Sequence, residues 1–122
     1  MDDRRKTPRV KLECPVLMRA LAKPETLSLT NSFCENISEL GLKVTSFNYY
    51  LMKEKVHLHL FSPDCANLLD AVGEVVWVEK LPFQSRYKVG IRFVEESKSF
   101  YLKVKHLIKN CIMSLILKME GK

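Results

Sequence analysis

No apolar run in this sequence is long enough to cross a bilayer. The longest strongly apolar stretch, Cys111 to Leu117, is interrupted by Ser114 and falls far short of the roughly 20 residues that a spanning helix needs. A secretory leader is also missing, because Met1-Asp2-Asp3-Arg4-Arg5 is charged and no apolar segment follows it. Both absences predict a cytoplasmic chain. Zinc-type cysteine pairs are missing as well. Cys14, Cys34, Cys65 and Cys111 are separated by 20, 31 and 46 positions, whereas structural zinc sites bring their ligands in close pairs. In a reducing compartment such cysteines read as small buried hydrophobes.

Catalytic signatures are equally scarce. The sequence holds no G-x-S-x-G, H-E-x-x-H or phosphate-loop pattern. Its only histidines are His57, His59 and His106. His57 and His59 share one strand face, a spacing that can hold a metal, but no third ligand is evident from the sequence, and the reading is no metal. The fourteen carboxylates are scattered. Nothing points to an enzyme.

What is present is one ordinary globular domain of 122 residues, 47% hydrophobic and 28% charged. Twenty basic residues against fourteen acidic ones give +6, a field that attracts phosphates, acidic lipid surfaces and acidic proteins without choosing among them. The charge is uneven. Residues 1–11 carry a local +3 and residues 97–122 a local +5, around a nearly neutral middle.

Alternation of apolar and polar residues dominates the first 94 positions. Val10, Leu12, Cys14, Val16 and Met18 form a half-buried strand in which Pro15 demands an edge or a bulge. Leu27, Leu29 and Phe33 suggest a second strand, Leu42 and Val44 a third, and Val56, Leu58 and Leu60 a fourth. Asp70 to Glu79 and Lys88 to Phe93 complete six, the last two joined by a loop containing Pro82. Six short strands predict an antiparallel sheet that closes on itself and so hides its edges. After Glu96 the period changes. Phe100, Val104, Leu107, Ile108, Cys111 and Leu115 follow helical spacing, with Ser97 as the N-cap and Gly121 at the end. Ile112, Met113, Ile116, Leu117 and Met119 leave the last two turns almost no polar face. Either the barrel covers one side and the end frays, or a partner, such as a second copy of the chain, covers the other.

Two short patterns carry chemistry. Arg5-x-x-x-Arg9 precedes the first strand, and Pro8 keeps this stretch extended or turned. Guanidinium forks bind phosphate and the O6 and N7 edge of guanine, although an isolated pattern of this kind also describes a solvated basic tail. Asn36-x-Ser38-x-x-Gly41 lies between the second and third strands. Asn and Ser supply hydrogen bonds and Gly41 permits a positive φ, which is also what a plain turn requires.

Together these patterns resemble the paired signature of the PilZ domain. Gly73-Glu74-Val75-Val76-Trp77-Val78 and Tyr87-Lys88-Val89-Gly90-Ile91-Arg92-Phe93 are similar to later segments of that family. The resemblance implies a mainly β fold, a six-stranded antiparallel barrel with a C-terminal helix. On this reading residues 1–9 form a ligand-clamping arm, 10–96 the barrel and 97–120 the helix. It further implies a receptor for cyclic di-GMP with no cofactor, in which Arg5 and Arg9 clamp phosphates and guanine edges. Asn36 and Ser38 would hydrogen-bond the ligand and Gly41 would shape the turn, while Arg4 would influence whether one ligand or an intercalated pair binds. Trp77 either lies near this site or fills the core, and its shared parity with Val75 favours the core. An arm that orders on the ligand would alter the surface seen by a downstream protein partner, and the apolar helix end allows a homodimer. Two other readings remain. One is a PilZ-like interaction module that binds no nucleotide. The other, a barrel for single-stranded nucleic acid, needs exposed aromatics, whereas the alternation places Phe33, Trp77 and Phe93 on the apolar side.

Overall fold

The computed structural model describes residues 9–22, 30–62, 66–95 and 97–120. Arg4, Arg5, Leu27, Leu29, Cys65 and Gly121 lie outside the described residues, as do the side chains of Leu115 and Met119. Six strands follow in order: β1 (Val10–Ala20), β2 (Thr30–Ile37), β3 (Gly41–Ser46), β4 (Lys55–Phe61), β5 (Asn67–Lys80) and β6 (Tyr87–Phe93). One helix, α1 (Lys98–Glu120), ends the chain. All neighbouring strands are antiparallel. They close into a barrel in the order β1-β2-β3-β6-β5-β4.

The period-two pattern determines what points inward. Cys14, Val16 and Met18 of β1, Val44 of β3, Val56, Leu58 and Leu60 of β4, Val75 of β5 and Val89 of β6 are all but fully buried. Each fully buried aliphatic side chain contributes roughly 1.5–3 kcal/mol of transfer free energy. Pro15 sits as its missing N–H requires. The register shifts by one residue between Lys11 and Cys14, just before it. The β1·β4 ladder begins at Val16, just after it.

Helix α1 starts where Ser97 Oγ accepts the Phe100 N–H at 3.1 Å, an N-cap bond to the third helical position. Its first half buries Phe100, Val104, Leu107 and Ile108. The Phe100 ring meets Phe93 of β6 edge-on at 5.2 Å between centroids, and the helix rests on β1 and β5. Its second half leaves Ile112, Met113, Ile116 and Leu117 exposed.

The structure corrects two inward assignments. Phe33 is 46% exposed, and the inward positions of β2 belong to Ser32, Cys34 and Ile37. Trp77 is half-buried and lies outside the core. Between Val75 and Trp77 the β5·β6 register shifts by one residue. A one-residue slip exchanges faces, so Trp77 does not inherit the inward direction of Val75.

Candidate functional site

Beside the turn between β2 and β3 lies an open cleft of about 200 Å³. Arg9, Asn36, Ser38, Gly41, Lys43, Trp77, Gly90 and Arg92 line it, with Leu40, Leu42, Val76 and Ile91. The cleft therefore unites Arg9, just ahead of β1, with all three residues of the Asn-x-Ser-x-x-Gly pattern. Arg4 and Arg5 lie outside the described residues.

Local backbone bonds hold the turn. The Ser38 N–H donates to the Gly41 carbonyl at 2.8 Å. The Leu40 N–H donates to Ser38 Oγ at 3.2 Å, which leaves the hydroxyl hydrogen of Ser38 to donate elsewhere. The Phe93 N–H donates to the Leu40 carbonyl at 2.8 Å and ties the turn to the end of β6.

Gly41 is needed here, but not for a positive φ, since no glycine in the described residues has one. A Cβ at Gly41 would stand 2.0 Å from the Ile91 carbonyl oxygen. Close approach of β3 to β6 is the constraint. Gly90 has a matching role on the cleft floor. A Cβ there would fall 2.3 Å from Trp77 Nε1, so its absence lets the indole lie against the β6 backbone.

Bulges aim these side chains. The β2·β3 register shifts between Cys34 and Asn36. With the shifts at Lys11/Cys14 and Val75/Trp77, that makes three around one cleft, against one elsewhere, between Leu60 and Phe61. A bulge adds one residue to one strand and turns its neighbours. Hydrogen bonding to Cys14, together with burial, pushes the Cys34 thiol far above its ordinary range. Cys34 stays a thiol, 3.6 Å from the Asn36 carbonyl that it can donate to.

The cleft is cationic. Arg92 pairs with Glu74 across β5 and β6. Lys43 lies 3.9 Å from Glu35 and 5.9 Å from the centre of the Trp77 ring. Arg9 is exposed and has no carboxylate partner among the described residues. Its guanidinium is available to a ligand, and its planar donors suit phosphates and the guanine edge. The sequence alone did not single out Lys43, Gly90 or Arg92. Alternation places Lys43 and Arg92 on the outer face, but only the β3·β6 and β5·β6 pairing brings them to one place.

Glu39 of the turn reaches the helix. Tyr101 of α1 donates its phenol hydrogen to Glu39 at 2.8 Å, and this bond raises the Tyr101 pKa. Beside it lies a second pocket, which shares Leu40 and Arg92 with the cleft and adds Phe93, Phe100 and Tyr101. No helix among the described residues is long and apolar enough to cross a membrane.

Comparisons with known proteins agree on the architecture. The fold is similar to the PilZ domain, solved with c-di-GMP, of YcgR from Escherichia coli. That match has a TM-score of 0.75 and 10% identity, and covers 98% of this chain and all of that one. It is also similar to the Bacillus subtilis inhibitor of motility MotI (DgrA), with a TM-score of 0.68 and 17% identity over 96% of this chain. The chain spans about half of MotI, 53% of its length. No curated protein matches by sequence. The model of the PilZ domain matches residues 3–112, a span that takes in the barrel, the cleft and the first half of α1, and the chain therefore belongs to the PilZ domain family.

Proposed function

We propose that this chain is a non-catalytic cytoplasmic receptor for cyclic di-GMP that signals through a protein partner. The observation carrying the reading is the convergence of Arg9, without a carboxylate partner among the described residues, with Asn36 and Ser38 in one cleft walled by Trp77. Cyclic di-GMP has two phosphates and two guanines. Arg9 supplies a fork for a phosphate or for guanine O6 and N7. Asn36 offers a donor and an acceptor, and Ser38 its free hydroxyl hydrogen. Lys43 and Arg92 offset phosphate charge.

The cleft's about 200 Å³ is below the roughly 300 Å³ at which sites begin to enclose a drug-sized ligand. The cleft therefore holds part of the ligand, and the arm at residues 1–9 holds the rest, with Arg5 as the second clamp and Arg4 setting how many ligands bind. Ordering of the arm would be the conformational signal. The Tyr101–Glu39 bond gives that signal a route from the motif turn to α1. The exposed apolar end of α1 is then where a partner, or a second copy of the chain, docks.

Isothermal titration of nucleotide-free protein with cyclic di-GMP tests the reading. Saturable binding by the wild type, lost in Arg9→Ala and weakened in Asn36→Ala, is the expected result. A folded wild type that binds no cyclic di-GMP would replace it with the reading of an interaction module that acts through α1. Arm ordering has its own measurement, hydrogen exchange at residues 1–12, which is expected to slow at saturating ligand and would be unchanged if the arm plays no part.

A further inference from the structure

Outside the cleft, the outer face of β4 carries His57 and His59. None of the cleft residues comes from β4, and in the closed strand order β4 stands three places from β3 in either direction. Strand periodicity puts both imidazoles on one face, with ring centroids 4.3 Å apart. The sheet adds what the sequence does not reveal. Asp70 of β5 is the register partner of His59, so a carboxylate stands beside the pair. Its Oδ1 lies 2.7 Å from His57 Nε2 and 3.4 Å from His59 Nδ1. One donor atom from each of the three residues lies within 4.8 Å of the others.

We propose that His57, His59 and Asp70 form a surface site for a divalent transition metal, zinc foremost. In a tetrahedral zinc site with bonds near 2.1 Å, donor atoms stand about 3.4 Å apart. The His59–Asp70 separation already matches this, and the His57–Asp70 pair needs to open by less than an ångström. Two imidazoles and one carboxylate suit zinc, cobalt and nickel better than calcium or magnesium, which favour all-oxygen shells. Three protein ligands leave a position for water. The donors are half-buried to exposed, so an ion reaches them from solvent without an opening motion.

Arg19 of β1 sets the terms of binding. It is the register partner of His57, and its Nη2 lies 3.3 Å from His57 Nδ1. A guanidinium only donates, so Nδ1 accepts and the ring hydrogen sits on Nε2, pointing at Asp70. A metal would take the place of that hydrogen. The hydrogen would then move to Nδ1, and the arginine would have to swing away. Arg19 is thus a positioning residue that fixes the His57 ring with Nε2 toward Asp70 and opposes the ion's charge. Lys55 and Glu74, register partners farther along the same ladder, add further charge near this face, Glu74 being ion-paired with Arg92. The inference is independent of the nucleotide reading, because the two sites share no residue.

The test is titration of the full chain, free of any histidine tag, with Co²⁺ read by visible absorption and Zn²⁺ read by competition and calorimetry. One equivalent is expected to bind, with affinity rising as pH rises because ligation displaces protons. His57→Ala, His59→Ala and Asp70→Asn are each expected to weaken binding by tenfold or more, while His106→Ala leaves it unchanged. Arg19→Gln, which removes the guanidinium charge and supplies an amide oxygen to accept from Nδ1–H, is expected to tighten it several-fold. Circular dichroism of each variant separates lost ligation from lost fold. Binding indifferent to His59→Ala and Asp70→Asn, or no binding at all to the folded wild type, would overturn the proposal.

Discussion

The two sides of this barrel are built by different rules. Around β4 the ladders are regular but for one shift at the far end, between Leu60 and Phe61. β1 pairs with it without a shift from Val16 to Ala20, and β5 from Lys55 to Leu60. On the β2-β3-β6-β5 side three one-residue shifts surround one cleft. The regular side obeys simple alternation and serves as wall. The bulged side breaks alternation, and there Asn36, Trp77 and Arg9 come together. A bulge costs local pairing and gains a new direction for a side chain, which is how one continuous sheet supplies both a sealed core and a polar cleft.

The comparison can be broken most severely from inside the regular wall. Leu58 is fully buried, and Leu58→Ala is expected to cost about 3 kcal/mol, lost transfer energy plus the cavity left behind. Chemical denaturation measures this cost. The affinity of the remaining folded protein for cyclic di-GMP should be unchanged.

A cut on the bulged side tests packing and recognition together. Gly41→Ala drives a Cβ onto the Ile91 carbonyl, and overpacking of this kind costs roughly 2 kcal/mol. Because the obstacle is backbone, β3 and β6 must separate, so the variant is expected to lose stability and nucleotide affinity together. Stability lost with affinity intact would show that turn geometry does not shape the site.

Trp77→Ala sharpens the contrast. The indole is outside the core, so affinity is expected to fall about tenfold, near 1.4 kcal/mol, with a smaller loss of stability than Leu58→Ala. If its stability cost matched that of Leu58→Ala, Trp77 would belong to the core after all.

The smallest effect is expected at the link to the helix. Tyr101→Phe removes the bond to Glu39 while leaving the barrel intact. The melting temperature should hold, and amide exchange at residues 38–41 should rise. In the wild type the bond has a pH signature of definite sign. The Tyr101 pKa is raised by its bond to Glu39, so the bond stabilises at pH below the ordinary tyrosine value and is lost as pH climbs through the raised one. Tyr101→Phe should remove that alkaline dependence.

Much of this architecture was legible in the residues because alternation and helical spacing are local signals. The buried positions of β4, the Ser97 cap and the placing of Pro15 all follow from neighbours in sequence. The illegible parts depended on register. One inserted residue at Val76 turned Trp77 out of the core. Phe33 looked inward only by analogy with Leu27 and Leu29, whereas its own strand points Ser32 and Cys34 inward. The sequence suggests Gly41 for its φ, but the position is fixed by the approach of a strand 50 residues away in sequence. Asp70 became visible as a neighbour of His57 and His59 only once β4 and β5 were paired. Of the residues in the two patterns, Asn36, Ser38, Gly41 and Arg9 line one cleft, while Arg5 lies outside the described residues.

The sole tryptophan of the chain lines that cleft, and its fluorescence reports on occupancy directly. Titrating cyclic di-GMP while following Trp77 emission is predicted to give a saturable change that is absent in Arg9→Ala. Calorimetric binding with no change in Trp77 emission would place the ligand elsewhere and contradict the account.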